Sequence, residues 1–507
     1  MDSRATNPDY LVRNVDEMDA DELEAYSKQL EGMTFREVLE AGFVGEEEAP
    51  ALSSRDYSPK EYKGGVGTLI EERFFGYRAN SDDRPDFPNA GVELKTTCFD
   101  VKKNGDYSAG ERVSITMIPF NREVEPDFYR SHVWSKAEKT LLVYYQRDRS
   151  VDTYDQRIWF TRLFTPSDID LKIIVDDYEK ICSIIEEGKA EELSESLTSY
   201  LGAATKGSTE ATMWVEQFYP PHTKAKRRAF CFKRQYMDYV LHNHVMPAQD
   251  TDASVESEPA EPIIKDIEVL GDKTFEEFVV SVIGRYAGKT DRELCEIFDI
   301  DYSGNKAQWT QLSYLMLGVR GAHAEEFEKA NVSVRTVRKE PSGKIKESLS
   351  LATFTFEDIA TQNWDESALL EYLEQTRFFF VVFEKCRGVA VLKGATFWSM
   401  PVSDVLGSAR DCWECTKRTI RQGVELTPRR RKDGKVIVYN NLPKRADNAV
   451  AHVRPHTGLA AYRLADGTEI GDVARHAHEL PDGQWMTKQS FWLNSHYVAN
   501  ILRGAGL

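Results

Sequence analysis

Apolar and polar positions alternate in "GVELKT" (Gly91 to Thr96), where Val92 and Leu94 are interleaved with Glu93 and Lys95. A period of two predicts a strand. It puts Glu93 and Lys95 on the same face, roughly 7 Å apart along the strand. Upstream, in "KGGVGTLIEERFFG" (Lys63 to Gly76), the residues Val66, Leu69, Ile70 and Phe74 fall at helical spacing and predict an amphipathic helix. "KTLLVYY" and "TRFFFVVF" are apolar throughout and predict buried strands. Thr-Phe-x-Glu opens both "TFREVLEAG" (Thr34 to Gly42) and "TFEEFVVSV" (Thr274 to Val282), which predicts a helix capping box in each. Between helix and strand, "DFPNAG" predicts a turn that folds Asp86 back towards the polar face of the strand.

The polar face carries the candidate chemistry. Asp86 and Glu93 are hard oxygen donors of the kind that suits Mg²⁺. Such an ion polarises a phosphate and lowers the pKa of a bound water. An ammonium at Lys95 orients or deprotonates that water, or steadies charge on the phosphate. The Glu-x-Lys pair alone carries little weight, since about one or two matches arise by chance in a chain this long. An exposed strand with a paired Glu and Lys reads the same way.

Composition bounds the classes. The chain has 507 residues, enough for two to four domains, and 41% of them are hydrophobic. No apolar run approaches the length of a membrane span, and the acidic beginning does not read as a secretory signal. Seven scattered cysteines, with one C-x-x-C at Cys412 and Cys415 and no second pair, read against a zinc site and for a reducing cytoplasm. The net charge of −18 is a weak argument against nucleic acid, because binding needs only a local basic surface. Two such clusters occur, at His222 to Arg234 and at Thr427 to Lys435.

The stretch "MPAQDTDASVESEPAEP" (Met246 to Pro262) contains no Lys or Arg and reads as a flexible linker. It divides the chain into residues 1–245, a linker over 246–266, and residues 267–507, and the two halves align. "KGGVGTLIEERFFG" matches "NKAQWTQLSYLMLG", "DFPNAGVELKT" matches "EFEKANVSVRT", and neither pair needs a gap. Apolar positions persist while chemical ones do not. Asp86 faces Glu326, Glu93 faces Ser333, Lys95 faces Arg335 and Glu71 faces Ser313. A guanidinium does not deprotonate and cannot act as a base. This asymmetry points to one active domain and one inactive copy.

"KGGVGTLIEE", "PDFPNAGVELKTT" and their order resemble the MutH family, GATC-directed endonucleases with the PD-(D/E)XK restriction-enzyme fold. The resemblance covers about Thr34 to Leu241 strongly, and Thr274 to Leu507 as a divergent copy. It implies an α/β chain of two tandem restriction-endonuclease-like domains, each a mixed sheet flanked by helices. It further implies a Mg²⁺-dependent type II restriction endonuclease that cuts double-stranded DNA at GATC. Asp86 and Glu93 would bind the metal, Lys95 would act on the water, and Glu71 rather than Glu72 would supply the helix carboxylate. Lys63 would lie near DNA, Lys136 in "VWSKAEKTLLV" would be a DNA-binding lysine close to the catalytic site, and Lys206 in "YLGAATKGST" would read bases. Lys233 in "FCFKRQY" would face DNA, although Cys231 stands where the family has tyrosine. Lys444 and Arg445 in "NNLPKRADN" would be the counterparts in the second half.

Implied partners are DNA with one or two GATC sites per complex, a second copy of the chain, and a cognate methyltransferase in the host. A strand-nicking repair endonuclease and a non-catalytic DNA-binding regulator are the alternatives.

Overall fold

The computed structural model describes residues 15–41, 65–77, 84–207, 213–246, 260–434 and 436–507. Most of the acidic linker, residues 247–259, lies outside them. The described residues form two compact units. The first holds the residues up to 246, with Ile264–Gly271 and Glu328–Ala330; the second holds 260–263, Asp272–Phe327 and Asn331–Leu507. Among the described residues no helix is long and apolar enough to cross a membrane.

The first unit is a mixed α/β structure built on strands β1 (Glu93–Val101), β2 (Tyr107–Ala109), β3 (Val113–Met117), β4 (Thr140–Gln146) and β5 (Ile158–Phe164). It continues with β6 (Leu201–Thr205), β7 (Trp214–Glu216), β8 (Lys224–Lys226) and β9 (Arg228–Phe232). The central sheet has the order β2-β1-β4-β5. β1 runs parallel to β4 with Glu93 beside Thr140, and the outer pairs are antiparallel. Leu141, Leu142, Val143 and Tyr144 are wholly buried, as a strand covered on both faces requires. A second, antiparallel sheet has the order β3-β9-β6, and β7 and β8 form a hairpin.

Both predicted capping boxes form. Thr34 and Glu37 exchange bonds between side chain and backbone at the start of helix Phe35–Glu40, and Thr274 and Glu277 do so before Phe275–Gly284. The amphipathic helix also forms, with a difference. Gly65–Leu69 is α-helical, but Ile70–Phe74 is a widened turn in which the Phe75 N–H reaches the Ile70 carbonyl, five residues back. Wide turns of this kind recur at functional sites. Leu69, Ile70 and Phe74 still point into the core with Val92, Leu94, Leu141 and Val143. Gly76 then takes a φ of +73°, and the Tyr77 N–H bonds the Glu71 carbonyl at 3.2 Å. This bond reaches six residues back across a left-handed residue, closes the widened end of the helix and turns Tyr77 back on it.

The second unit uses β10 (Val332–Lys339), β11 (Leu349–Phe354), β12 (Arg377–Cys386), β13 (Val389–Trp398), β14 (Thr427–Arg430), β15 (Val436–Tyr439) and β16 (Ala451–Pro455). β17 (Tyr462–Arg463), β18 (Glu469–Ile470), β19 (Ala477–Glu479), β20 (Trp485–Thr487) and β21 (Gln489–Leu493) follow. One sheet is β10-β12-β13, with β10 parallel to β12 and β13 antiparallel. Another, antiparallel, is β11-β21-β16. These repeat the strand directions of β1-β4-β5 and β3-β9-β6. Even the register agrees: Ser333 pairs with Phe378 and Phe378 with Trp398, as Glu93 pairs with Thr140 and Thr140 with Phe164. The small sheet β18-β17-β20-β19 lies between β16 and β21 in sequence, where the first unit has only its β7–β8 hairpin.

Candidate active site

The predicted turn brings Asp86 to the strand. Phe87 and Val92 exchange two backbone hydrogen bonds, of 2.9 and 3.2 Å, and Gly91 at φ +65° lets the chain reverse between them. The turn is seated by Phe87, which packs edge-on against Phe75 and Tyr77 with ring centroids 5.0 and 5.4 Å away. Asp86 Oδ2 then accepts the Leu94 N–H at 2.9 Å. The carboxylate is thereby fixed to the second residue of β1.

Glu93 opens that strand and is 2% exposed. Lys95, two residues on and on the same face, donates to Glu93 Oε1 at 2.5 Å. Lys136 donates to the same carboxylate from helix His132–Ala137, 3.3 Å from Oε1 and 3.2 Å from Oε2. The helix is capped by Ser131, whose Oγ accepts the Trp134 N–H, and it leads into β4, where Thr140 lies beside Glu93. One buried carboxylate is therefore held by two ammonium groups.

Glu71 joins the set from the widened turn. Burial first, and then the neighbouring Asp86 carboxylate, push its pKa up to about 7, against the pull of Lys95. Asp86 is raised too, by burial and then by Glu93. Glu72, the adjacent candidate, is turned in and 2% exposed. Four predicted residues, Glu71, Asp86, Glu93 and Lys95, thus act on one another across 24 residues of sequence, and Lys136 completes the cluster.

The donor set fits a hard divalent cation. Crowded carboxylates that raise one another's pKa are relieved by a nearby positive charge. Among the described residues no three His, Cys, Asp or Glu side chains form a preassembled cage.

The other expected residues divide. Lys63 lies outside the described residues. Lys206 follows β6, and its pKa is lowered, by burial first and by Arg112 next. Lys233 is a correction. It is 2% exposed, and its Nζ donates to the Thr198 carbonyl at 3.0 Å, so it braces the chain before β6 instead of facing DNA. It follows β9, all five residues of which are buried, and that placement draws it inward. In the second unit Lys444 and Arg445 are exposed, in a turn where the Lys444 N–H bonds Asp447 Oδ2 at 2.7 Å.

Two functional groups escaped the sequence reading. Asp177, on helix Asp168–Glu186, accepts the N–H groups of Ser199, Tyr200 and Leu201 at 2.7, 2.6 and 3.0 Å, and so fixes the start of β6. No local pattern marks an aspartate whose partners lie more than twenty residues away. Tyr77 turns towards the carboxylates, and the only signal for it is its place just after the helix-ending Gly76.

In the second unit the corresponding positions are otherwise engaged. The Glu326 carboxylate accepts the Ile263 N–H at 2.8 Å and is 2% exposed. Arg335 Nη2 lies 3.4 Å from Tyr372 Oη and 3.5 Å from the Ser350 carbonyl oxygen. Ser313 donates back to the Trp309 carbonyl within its own helix.

Comparison with known proteins places this geometry. The family model for the DNA mismatch repair enzyme MutH matches residues 75–177, which hold Asp86, Glu93, Lys95 and Lys136. The chain is 34% identical over 466 residues to the type II restriction enzyme Sau3AI of Staphylococcus aureus, covering 87% of this chain and 92% of that one. It is 29% identical over 194 residues to the DNA mismatch repair protein MutH of Shewanella woodyi, covering 38% of this chain and 78% of that one. With the MutH of Pasteurella multocida it shares 28% identity over 154 residues, covering 30% and 67%. The mismatch-repair proteins align with a part of the chain and Sau3AI with nearly all of it, and on that breadth of similarity the chain belongs to the MutH family of endonucleases.

Proposed function

We propose that the protein is a type II restriction endonuclease that cuts both strands of duplex DNA at GATC, with Mg²⁺ as its cofactor. Its family membership makes it a site-specific deoxyribonuclease. The observation that carries the fuller reading is the cluster of Asp86, Glu93 and Lys95 in the first unit, with Lys136 on the same carboxylate.

Asp86 and Glu93 hold the cation, which supplies Lewis acidity towards the phosphate. Lys95 orients the attacking water and steadies the charge that develops on the phosphate oxygens. Lys136 keeps Glu93 in place, and Glu71 borders the water's side of the site. In-line attack leaves a 5′-phosphate and a 3′-hydroxyl, and by family resemblance the cut falls before the G. Lys206 reads guanine, whose O6 and N7 accept from lysine in the major groove.

The second unit is a copy without catalysis that binds DNA. The loss of Glu93 and Lys95 equivalents at Ser333 and Arg335 supports the first half of that statement. The exposed Lys444 and Arg445 support the second. Two chains each cut one strand of the palindrome, matching its two-fold symmetry, and the second unit anchors or stimulates the complex through another GATC copy. A host methyltransferase protects the same sites.

Digestion with Mg²⁺ of matched plasmids carrying zero, one and two GATC sites tests this. Linear product only from plasmids with sites supports the reading, and faster cutting of the two-site plasmid supports the role of the second unit. Nicked circles as the end product would favour a repair-type nickase, and cutting regardless of GATC would overturn the specificity.

A further inference from the structure

Tyr77 carries a buried hydroxyl without a hydrogen-bond partner among the described residues. A buried hydroxyl left in this state costs stability, and native proteins rarely keep one without use for it. Its position is well determined. The backbone N–H is tied to the Glu71 carbonyl at 3.2 Å, and the ring packs edge-on against Phe87, the residue after Asp86. Both neighbours thus belong to segments that deliver site carboxylates.

The charges that act on the phenol are Asp86, then Glu71, then Glu93, and with burial they hold it protonated, its pKa raised. It is therefore a donor and not a base. Each of the three charged groups that act on it, Asp86, Glu71 and Glu93, can accept a hydrogen bond. Asp86 spends one oxygen on the Leu94 N–H and leaves the other to be directed.

We propose that Tyr77 is a positioning residue of the nuclease centre, its hydroxyl donating to the Asp86 carboxylate and setting that group's orientation when the site takes up its divalent cation. Seating the cation would direct the second oxygen of Asp86, the one not held by the Leu94 N–H, and the waiting donor would then find its partner. The inference rests on the reading that Asp86 and Glu93 hold the cation.

Tyr77→Phe removes the oxygen and keeps the ring, so the packing on Phe87 survives. The full-length variant is compared with wild type and Asp86→Asn by calorimetric titration with Ca²⁺ and by thermal melting with and without Ca²⁺. Cleavage is then followed across Mg²⁺ concentrations. Tyr77→Phe is expected to bind Ca²⁺ on the order of tenfold more weakly, as the loss of one hydrogen bond to a charged group implies. Its half-saturating Mg²⁺ should rise in step, while its cation-free melting temperature should equal or exceed that of wild type. Unchanged Ca²⁺ affinity, or a melting temperature lowered equally with and without Ca²⁺, would overturn the proposal and leave the metal reading standing. Wild-type protein that binds no Ca²⁺, or an Asp86→Asn variant that binds it as well as wild type, would overturn both.

Discussion

Lys136 and Glu93 are 43 residues apart in sequence, yet Lys136 Nζ lies 3.2 Å from Glu93 Oε2 in the interior of the first unit. The contact gives Lys136 a definite partner in the cluster, Glu93, close to where the family resemblance puts it. Lys136→Ala should slow single-turnover cleavage by on the order of 10- to 100-fold, the worth of a charged hydrogen bond, with DNA affinity in Ca²⁺ little changed. Lys136→Arg should recover part of the loss.

In the proposed function Lys95 serves the chemistry and not the docking. Lys95→Ala should lower the cleavage rate by on the order of 10² to 10⁴ while DNA binding in Ca²⁺ persists. Copying the second unit into the first with Glu93→Ser and Lys95→Arg should abolish cleavage and leave a DNA-binding protein. Rapid-quench cleavage beside a gel-shift titration checks both. An unchanged rate in Lys95→Ala would reject its role.

Glu71 sets a pH dependence. Its folded pKa of about 7 exceeds the ordinary value of 4.5, so between the two the folded protein holds a proton that the unfolded chain has released. The group's contribution to the stability of the cation-free protein is present below that window and is lost as pH rises through about 7. A divalent cation favours the ionised form, so its binding releases protons and should tighten from pH 6 to about 8. Melting curves across this range should show cation stabilisation growing with pH. Glu71→Gln should flatten that trend.

Asp177 fixes the start of β6, the strand that leads to Lys206. Three buried N–H groups converge on it, and Asp177→Ala strands them all. The loss should be roughly 3 kcal/mol or more in urea unfolding. Asp177→Asn, which keeps the shape and one acceptor, should lose less.

Lys206→Met should relax discrimination between GATC and single-base variants by on the order of 10- to 100-fold, the usual worth of a direct base contact. Competition cleavage of matched oligonucleotide duplexes measures the ratio. A uniform loss on all sequences would make Lys206 a phosphate contact instead.

Much of the cluster was legible because it is local. Alternation predicts that Glu93 and Lys95 share a face, and they touch at 2.5 Å. Pro, Asn and Gly between Asp86 and Val92 predict the reversal that places Asp86 at the Leu94 amide. The widened turn under Glu71 was not legible, since apolar spacing reads the same whether a carbonyl is reached four or five residues back. Nor was the fate of Lys233. In "HTKAKRRAFCFKR" every cation reads as solvated, yet the same run includes Arg228, buried and donating to the Ala203 carbonyl at 2.7 Å. Charge runs give no register, and register decides which members turn inward.

The turn closed by Phe87 and Val92 has a consequence for how the site tolerates change. Asp86 and Leu94 are only eight residues apart, and a short loop sealed by two backbone bonds costs little chain entropy to close. Asp86 and Glu93 thus travel as one prefabricated piece. A single residue inserted between Phe87 and Val92 would break the seal, and with it the spacing of the two carboxylates.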